Sequence, residues 1–182
     1  MLRLKLFVFL LTLPVLLRAQ AFYEVRNGAI SFHSYAPKEL IFASSSQLEG
    51  IVDVQKKVFA FRISITSFRG FNSPLQREHF NENYMESSAY PQASFKGKII
   101  EDVDFTKDGT YDVRAKGKLL IHGVAQERTI KSHIVCKDGH LTVTSDFSVL
   151  LIDHNIKIPR VVYEKLAPEI SVSVNALMAR RK

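Results

Sequence analysis

"TYDVRAKGKLLIHG", residues 110–123, alternates apolar and polar side chains along most of its length. Tyr111, Val113, Ala115, Gly117, Leu119 and Ile121 fall on one face, and Asp112, Arg114, Lys116 and Lys118 on the other. A period of two is the mark of a strand with one buried face, because successive side chains in a strand point to opposite sides of the sheet. The same grammar recurs on both sides of this stretch. "KVFAFRISITSF" (57–68) sets Phe59, Phe61, Ile63 and Ile65 against Arg62, Ser64 and Thr66. "HLTVTSDFSVL" (140–150) aligns Leu141, Val143, Phe147 and Val149, and "PEISVSVNALM" (168–178) alternates Ile170, Val172, Val174 and Ala176 with Ser171, Ser173 and Asn175. Shorter candidates are "AISFHS" (29–34), "ELIFASS" (39–45), "EGIVDVQ" (49–55) and "ASFKGKII" (93–100).

Turn chemistry punctuates these runs. "RNGA" (26–29), "KDGT" (107–110) and "KDGH" (137–140) place Asn-Gly or Asp-Gly between strands, a strong hairpin signal, so neighbouring strands should be antiparallel. An open sheet of that size would leave unpaired edges, which a closed barrel removes. Strands longer than the usual run of about 5–6 residues favour the barrel over a sandwich. So do Gly97 and Gly117, which fall on apolar faces where a missing side chain permits close approach. The expectation is an all-β chain, an antiparallel closed barrel of about eight strands, with one short helix near residues 74–84. The repeated "KGK" around the two glycines reads as a coincidence between two strands.

The first residues follow different rules. "MLRLK" is a basic start, "LFVFLLTLPVLL" an apolar core and "AQA" a small-residue exit. The apolar run, residues 6–17, falls short of the roughly 20 residues of a spanning helix, so residues 1–21 read as a secretory signal peptide. Cleavage after Ala19 or after Ala21 fits equally well. The expected folded domain is then 22–182, exported to the periplasm, with secretion as the alternative. Without Arg3, Lys5 and Arg18 the 25 basic residues become 22 against 18 acidic ones, a net charge of +4 rather than +7. That modest, dispersed charge argues against nucleic acid as a partner. The single cysteine, Cys136, shares a strand face with Ile130 and Ile134 and reads as a buried, inert thiol.

"REHFNENY" (77–84) breaks the strand pattern. Pro74 suits a first helical turn, and Leu75, His79 and Tyr84 could line one side of a short helix. Glu78 and Glu82 stand four apart, as do His79 and Asn83, yet no second histidine completes a zinc set, so no metal site is expected. Neither a GxSxG elbow nor a glycine-rich phosphate loop is present. Arg77, Glu78 and His79 remain the one acid/base set an enzyme acting on a hydrophobic substrate would use; surface solvation and capping are the commoner fate of such residues.

Taken in order, several landmarks resemble the YceI-like family, exported proteins with a lipocalin-like barrel that binds polyisoprenoid lipids. They are Arg77, Glu78, His79 and Phe80 after "ISITSF"; Tyr90, Pro91, Ala93 and Phe95; and Leu119, Ile121, His122, Gly123 and Val124. Two positions depart from the family pattern: Ala125 stands where threonine is usual, and Asp153, His154 and Asn155 lack a preceding arginine. Asparagine tolerates the left-handed backbone that glycine favours, so that turn should survive. The resemblance implies a binding or carrier protein, not an enzyme, for a long-chain polyisoprenoid or quinone-like lipid; no cofactor is required, and an isoprenoid lipid could be bound. The expected barrel lining is Phe32, Phe61, Ile63, Phe68, Phe80, Phe95, Val113, Leu119, Ile121, Phe147, Val149 and Val172. Arg77, Glu78, His79, Tyr84 and Tyr90 would form a motif at the barrel mouth, with Phe80 and Tyr84 turned inward. Thirteen phenylalanines and no tryptophan suit an oily lining, although a filled core would give the same one-dimensional pattern. Membrane-surface contact and a homodimer stay open.

Overall fold

The computed structural model describes residues 22–181, and the expected signal segment lies outside the described residues. Eight strands follow one another around a closed antiparallel barrel: β1 (Phe22–Tyr35), β2 (Leu40–Asp53), β3 (Val58–Ser64), β4 (Gln92–Ile99), β5 (Gly109–Ile121), β6 (Val124–Lys137), β7 (His140–Leu150) and β8 (Glu169–Arg180). β8 returns to β1, with Phe32 opposite Val172 and Tyr23 opposite Arg180. Among the described residues the one α-helix, α1 (Pro74–His79), lies between β3 and β4.

Two hairpins use the tightest turn. His122–Gly123 joins β5 to β6 and Asp138–Gly139 joins β6 to β7, and all four residues have positive φ. That is the type I′ geometry whose twist matches the flanking strands. "RNGA" behaves differently from expectation. Asn27 and Gly28 sit inside β1, where the pairing with β2 slips on either side of Gly28, so the motif is a bulge and not a hairpin. "AISFHS" therefore merges into β1, and "ELIFASS" and "EGIVDVQ" merge into the single strand β2. "KDGT" is also not a tight hairpin: Gly109 opens β5 after a connection spanning 100–108.

The strand expected over 57–68 stops at Ser64 and continues as a 3-10 turn, Ile65–Ser67. Local hydroxyls explain the stop, since the Ser67 hydroxyl donates to the Ser64 carbonyl at 2.6 Å and lies 2.7 Å from that of Ser45. β2 and β3 consequently pair only from Glu49–Arg62 to Asp53–Val58, and Ser44 pairs instead with Arg69. β6 and β7 likewise pair only from His133–Thr144 to Lys137–His140. Beyond that point side chains span the seam. Ser145 donates to the Ser132 hydroxyl at 2.7 Å, Arg128 to the Ser148 carbonyl at 2.7 Å, and Gln126 to the Asp153 carbonyl at 2.6 Å.

In an up-and-down barrel the connections alternate between ends. One end carries the β2–β3, β4–β5 and β6–β7 connections and is packed shut: Val54, Ile99, Phe105, Cys136, Leu141 and Met178 are all buried there. Phe105 swings in from the 100–108 connection and meets Tyr111 edge-on at 5.9 Å. Glu101 pins that connection, accepting from the Arg114 backbone N–H at 2.6 Å and its Nε at 2.7 Å. Burial pushes the Cys136 thiol above its ordinary pKa, with the charges of Asp108 and Asp104 adding to the effect.

Gly97 and Gly117 stand directly opposite each other, flanked by the pairs Lys96–Lys118 and Lys98–Lys116. The repeated "KGK" is therefore not a coincidence. A Cβ on Gly117 would lie 2.1 Å from the Lys96 carbonyl oxygen, so β4 and β5 come this close only because both side chains are missing. Gly117→Val is expected to destabilise the barrel by about 2–3 kcal/mol, read as a lower urea midpoint at unchanged slope. A second expectation concerns pH. The Glu101 carboxyl is held below its ordinary value of 4.5, first by the Arg114 backbone bond and then by the Arg114 side chain. A carboxyl depressed in the folded state stabilises above its unfolded pKa and loses that effect as pH falls through the folded one. Glu101→Gln should lower the melting temperature at pH 7, with the gap to wild type closing progressively below pH 4.5.

Candidate ligand-binding cavity

The inward faces of the strands enclose a cavity of about 550 Å³. All twelve side chains expected to line the barrel border it. Ile63, Phe68, Val113, Leu119 and Val149 are buried, but Phe32, Phe61, Phe80, Phe95, Ile121, Phe147 and Val172 keep partial exposure while facing inward. A filled core would have buried the second group as well. The interior is a hollow lined by aromatic and aliphatic side chains, within the size range of small-molecule sites.

Phenyl rings build two parts of the wall. Phe32 stacks on Phe80 at 5.4 Å and 24° and meets Phe68 at 5.3 Å, while Phe71 packs against Phe80 at 5.0 Å. Across the barrel Phe59 lies 4.9 Å from Phe95 and 6.2 Å from Phe61. Several polar lining groups are bonded within the protein. The buried Ser34 hydroxyl accepts from the Ala167 N–H at 2.9 Å, Ser132 and Ser145 bond each other, and Glu39 accepts from Gln76 at 2.8 Å. Arg62 borders the cavity from β3 but is engaged with Glu49 at 2.6 Å. What remains for a ligand is an oily wall.

The cavity opens at the end opposite the Phe105 plug. Apart from Arg62, its exposed lining residues are Ser73, Leu75 and His79 around α1 and Lys165 in the β7–β8 connection. The opening lies between α1, the β1–β2 hairpin and that connection.

The helix starts where the sequence provides a cap: the Ser73 hydroxyl accepts from the Gln76 N–H at 3.1 Å and Pro74 fills the first turn. After His79 the chain widens into a π-turn, Phe80–Tyr84, closed by the Met85 N–H donating to the Phe80 carbonyl at 2.9 Å. Such a turn shifts the phase of the side chains it carries. Phe80 and Tyr84 both border the cavity, and burial pushes the Tyr84 phenol above its ordinary pKa.

"REHFNENY" is thus a wall element. Arg77 reaches the Thr66 carbonyl at 3.3 Å, Glu78 is exposed, and His79 stands at the rim. Among the described residues no hydrogen bond or ion pair links the three. Tyr90 does not border the cavity; its ring meets His122 at 4.6 Å and 68°. Among the described residues no group of three or more His, Cys, Asp or Glu side chains is placed to hold a metal ion, and no helix is long and apolar enough to cross a membrane.

Sequence reading missed two features. Phe71, Met85, Ile156 and Leu166 also line the cavity, but they come from irregular connections where no periodicity marks an inward face. Two of the histidines scattered singly along the chain, His122 and His154, form a latch at the open end. His122 has Nε2 2.6 Å from the Glu86 carboxylate and Nδ1 3.1 Å from the His154 carbonyl oxygen, while buried His154 has Nδ1 3.1 Å from that of Val124. Asn155 takes the left-handed conformation expected of it, with φ 58°.

Fold and cavity together define a small hollow β-barrel of the lipocalin-like type, and the chain belongs to the YceI-like family: the model of the YceI-like domain matches residues 28–178. No curated protein matches the chain. Among solved structures, a polyisoprenoid binding domain from Saccharophagus degradans, implicated in plant cell wall breakdown, is similar with a TM-score of 0.71. It is 13% identical over 90% of this chain and 100% of that one. BcnA from Burkholderia cenocepacia has a TM-score of 0.68 at 15% identity, over 82% of this chain and 95% of that one. The YceI protein of Campylobacter jejuni has a TM-score of 0.59 at 17% identity, over 77% and 84%. At such identities these neighbours share the fold.

Phe80→Ala removes the ring that holds Phe32, Phe68 and Phe71 together and should cost about 2–3 kcal/mol of stability in urea unfolding. Glu78→Ala, at an exposed position, should stay within about 0.5 kcal/mol of wild type in the same measurement.

Proposed function

We propose that this chain is an exported binding or carrier protein for a long-chain polyisoprenoid or quinone-like lipid, working in the periplasm without chemistry of its own. The observation that carries the reading is the set of inward-facing phenyl rings left half-buried around an apolar cavity of about 550 Å³ with one open end. Each methylene moved from water into such a cavity is worth about 0.8 kcal/mol, so around ten supply roughly 8 kcal/mol gross. Ordering a flexible chain offsets part of that. The likeness to the polyisoprenoid binding domain of Saccharophagus degradans supports the ligand class. Binding in place of catalysis is supported by Arg77, Glu78 and His79, which do not converge on one another.

Native mass spectrometry of the gently purified chain should show a retained isoprenoid lipid. Phe147→Asp, which sets a carboxylate in the oily wall, should lower prenyl-lipid affinity by at least about tenfold, as an unpaired charge in an apolar site requires. Repeated recovery of an empty barrel that refuses prenyl lipids would end the proposal.

A further inference from the structure

The open end carries exposed apolar side chains, of which Leu75 borders the cavity mouth and Val161, Tyr163, Tyr35 and Leu40 lie outside it. In the β7–β8 connection a 3-10 turn, Arg160–Val162, divides two faces: Val162 and Leu166 border the cavity, whereas Val161 is 88% exposed and Tyr163 is also exposed. Leu75 on α1 and the cross-strand pair Tyr35 and Leu40 on the β1–β2 hairpin are exposed too. These three segments are neighbours. Asn72 donates to the Leu40 carbonyl at 2.9 Å and Gln76 to Glu39 at 2.8 Å, which ties the hairpin to the α1 segment. The Lys38 N–H donates to the Glu164 carbonyl at 2.8 Å and its ammonium pairs with the Glu164 carboxylate at 2.5 Å, which ties the hairpin to the connection. Exposed apolar side chains therefore surround the opening, where scattered single ones would need no explanation.

On α1 the Glu78 carboxylate is exposed, but within residues 157–165 of the β7–β8 connection the unpaired charge has one sign. Glu39 and Glu164 are engaged with Gln76 and Lys38 respectively, whereas Lys157, Arg160 and Lys165 are exposed and form no ion pair among the described residues. Cations beside protruding valine, leucine and tyrosine match an anionic bilayer: the apolar groups enter the headgroup boundary and the cations meet lipid phosphates.

We propose that the open end docks, mouth down, on the surface of an anionic bilayer through Val161, Tyr163 and Leu75 with Lys157, Arg160 and Lys165. The inference rests on the lipid cargo proposed above, since docking in this pose lets a chain pass between leaflet and cavity without crossing water. The barrel carries a second basic patch, Lys96, Lys98, Lys116 and Lys118 on the outer wall of β4 and β5, which lies away from the opening, has Ile100 as an exposed apolar neighbour and serves as the internal comparison.

Co-sedimentation with vesicles of equal parts phosphatidylglycerol and phosphatidylcholine tests it. The chain should bind these vesicles, bind pure phosphatidylcholine weakly, and release as salt rises. Leu75→Asp combined with Val161→Asp should reduce binding about tenfold or more, because both the apolar insertion and the charge match are lost. Lys157→Glu with Arg160→Glu should act in the same direction, while Lys96→Glu with Lys116→Glu should leave binding near wild type. All these positions are exposed, and unchanged melting temperatures will show that the variants fold. Docking is overturned if the chain ignores anionic vesicles, if the outer-wall pair matters and the rim does not, or if the rim instead forms a dimer in solution that vesicles cannot compete with. Native mass spectra separate the two proposals. A chain that retains lipid but never docks overturns docking alone; a chain that docks but is always empty overturns the cargo alone.

Discussion

Closure of the strand ring between β1 and β8 is the constraint on which the rest of this structure depends. Once eight twisted strands close, the circumference of the barrel is set by the strand count and tilt, and not by the volume of the side chains inside. An eight-stranded ring is just wide enough to be filled or to hold one ligand, so the identity of the inward residues decides which. Here the ring is squeezed at one place, where Gly97 and Gly117 let β4 and β5 approach, and packed shut at one end by Phe105 and its neighbours. Elsewhere the inward residues do not meet across the middle.

The two ends differ in how they are held. At the closed end the β2–β3 and β6–β7 ladders are continuous and a buried apolar cluster fills the interior, including Leu141 and Met178 at 2% and 0% exposure. At the open end the ladders between β2 and β3 and between β6 and β7 run out, and side-chain hydrogen bonds take over: Ser45 with Ser67, Ser132 with Ser145, Arg128 with Ser148. Individual bonds of this kind each contribute only about 1 kcal/mol net. Local opening is cheapest where buried contacts are few and pairing is discontinuous. The β2–β3 and β6–β7 seams are thus softest toward the opening, while the buried cluster at the plug end holds the ring together.

Much of this was legible in the sequence, and the limits have physical causes. Period-two alternation put Phe61, Ile63, Val113, Leu119, Phe147 and Val172 on inward faces, because strand geometry converts spacing directly into direction. Asp138–Gly139 was readable as a turn for the same local reason. Asn27–Gly28 was not: a dipeptide that tolerates positive φ serves a bulge as well as a hairpin, and only the pairing partner distinguishes them. The apposition of the two "KGK" stretches is a matter of register between strands, and the contact between His122 and Glu86 spans a separation of 36 residues; neither leaves a local trace. Least legible was whether the middle is hollow. That is a difference between two volumes, the ring's and its contents', and one-dimensional pattern carries neither.

An apolar hollow is costly to keep in a protein interior. Side chains such as Phe32, Phe61, Phe95 and Phe147 that face a void forgo the dispersion contacts that ordinarily repay the ordering of a large ring. Filling the space with larger residues would recover those contacts, and the closed end shows that this fold tolerates dense packing. A hollow kept beside a well-packed plug, with Ser34, Ser132 and Ser145 already bonded within the protein, offers a ligand chiefly apolar contact. A hydrocarbon chain supplies that and nothing more specific. Any ligand that binds the folded state and not the unfolded one raises stability in proportion to the logarithm of its concentration over its dissociation constant. A ligand filling this hollow would therefore couple occupancy to stability, by supplying dispersion contacts to the half-buried rings.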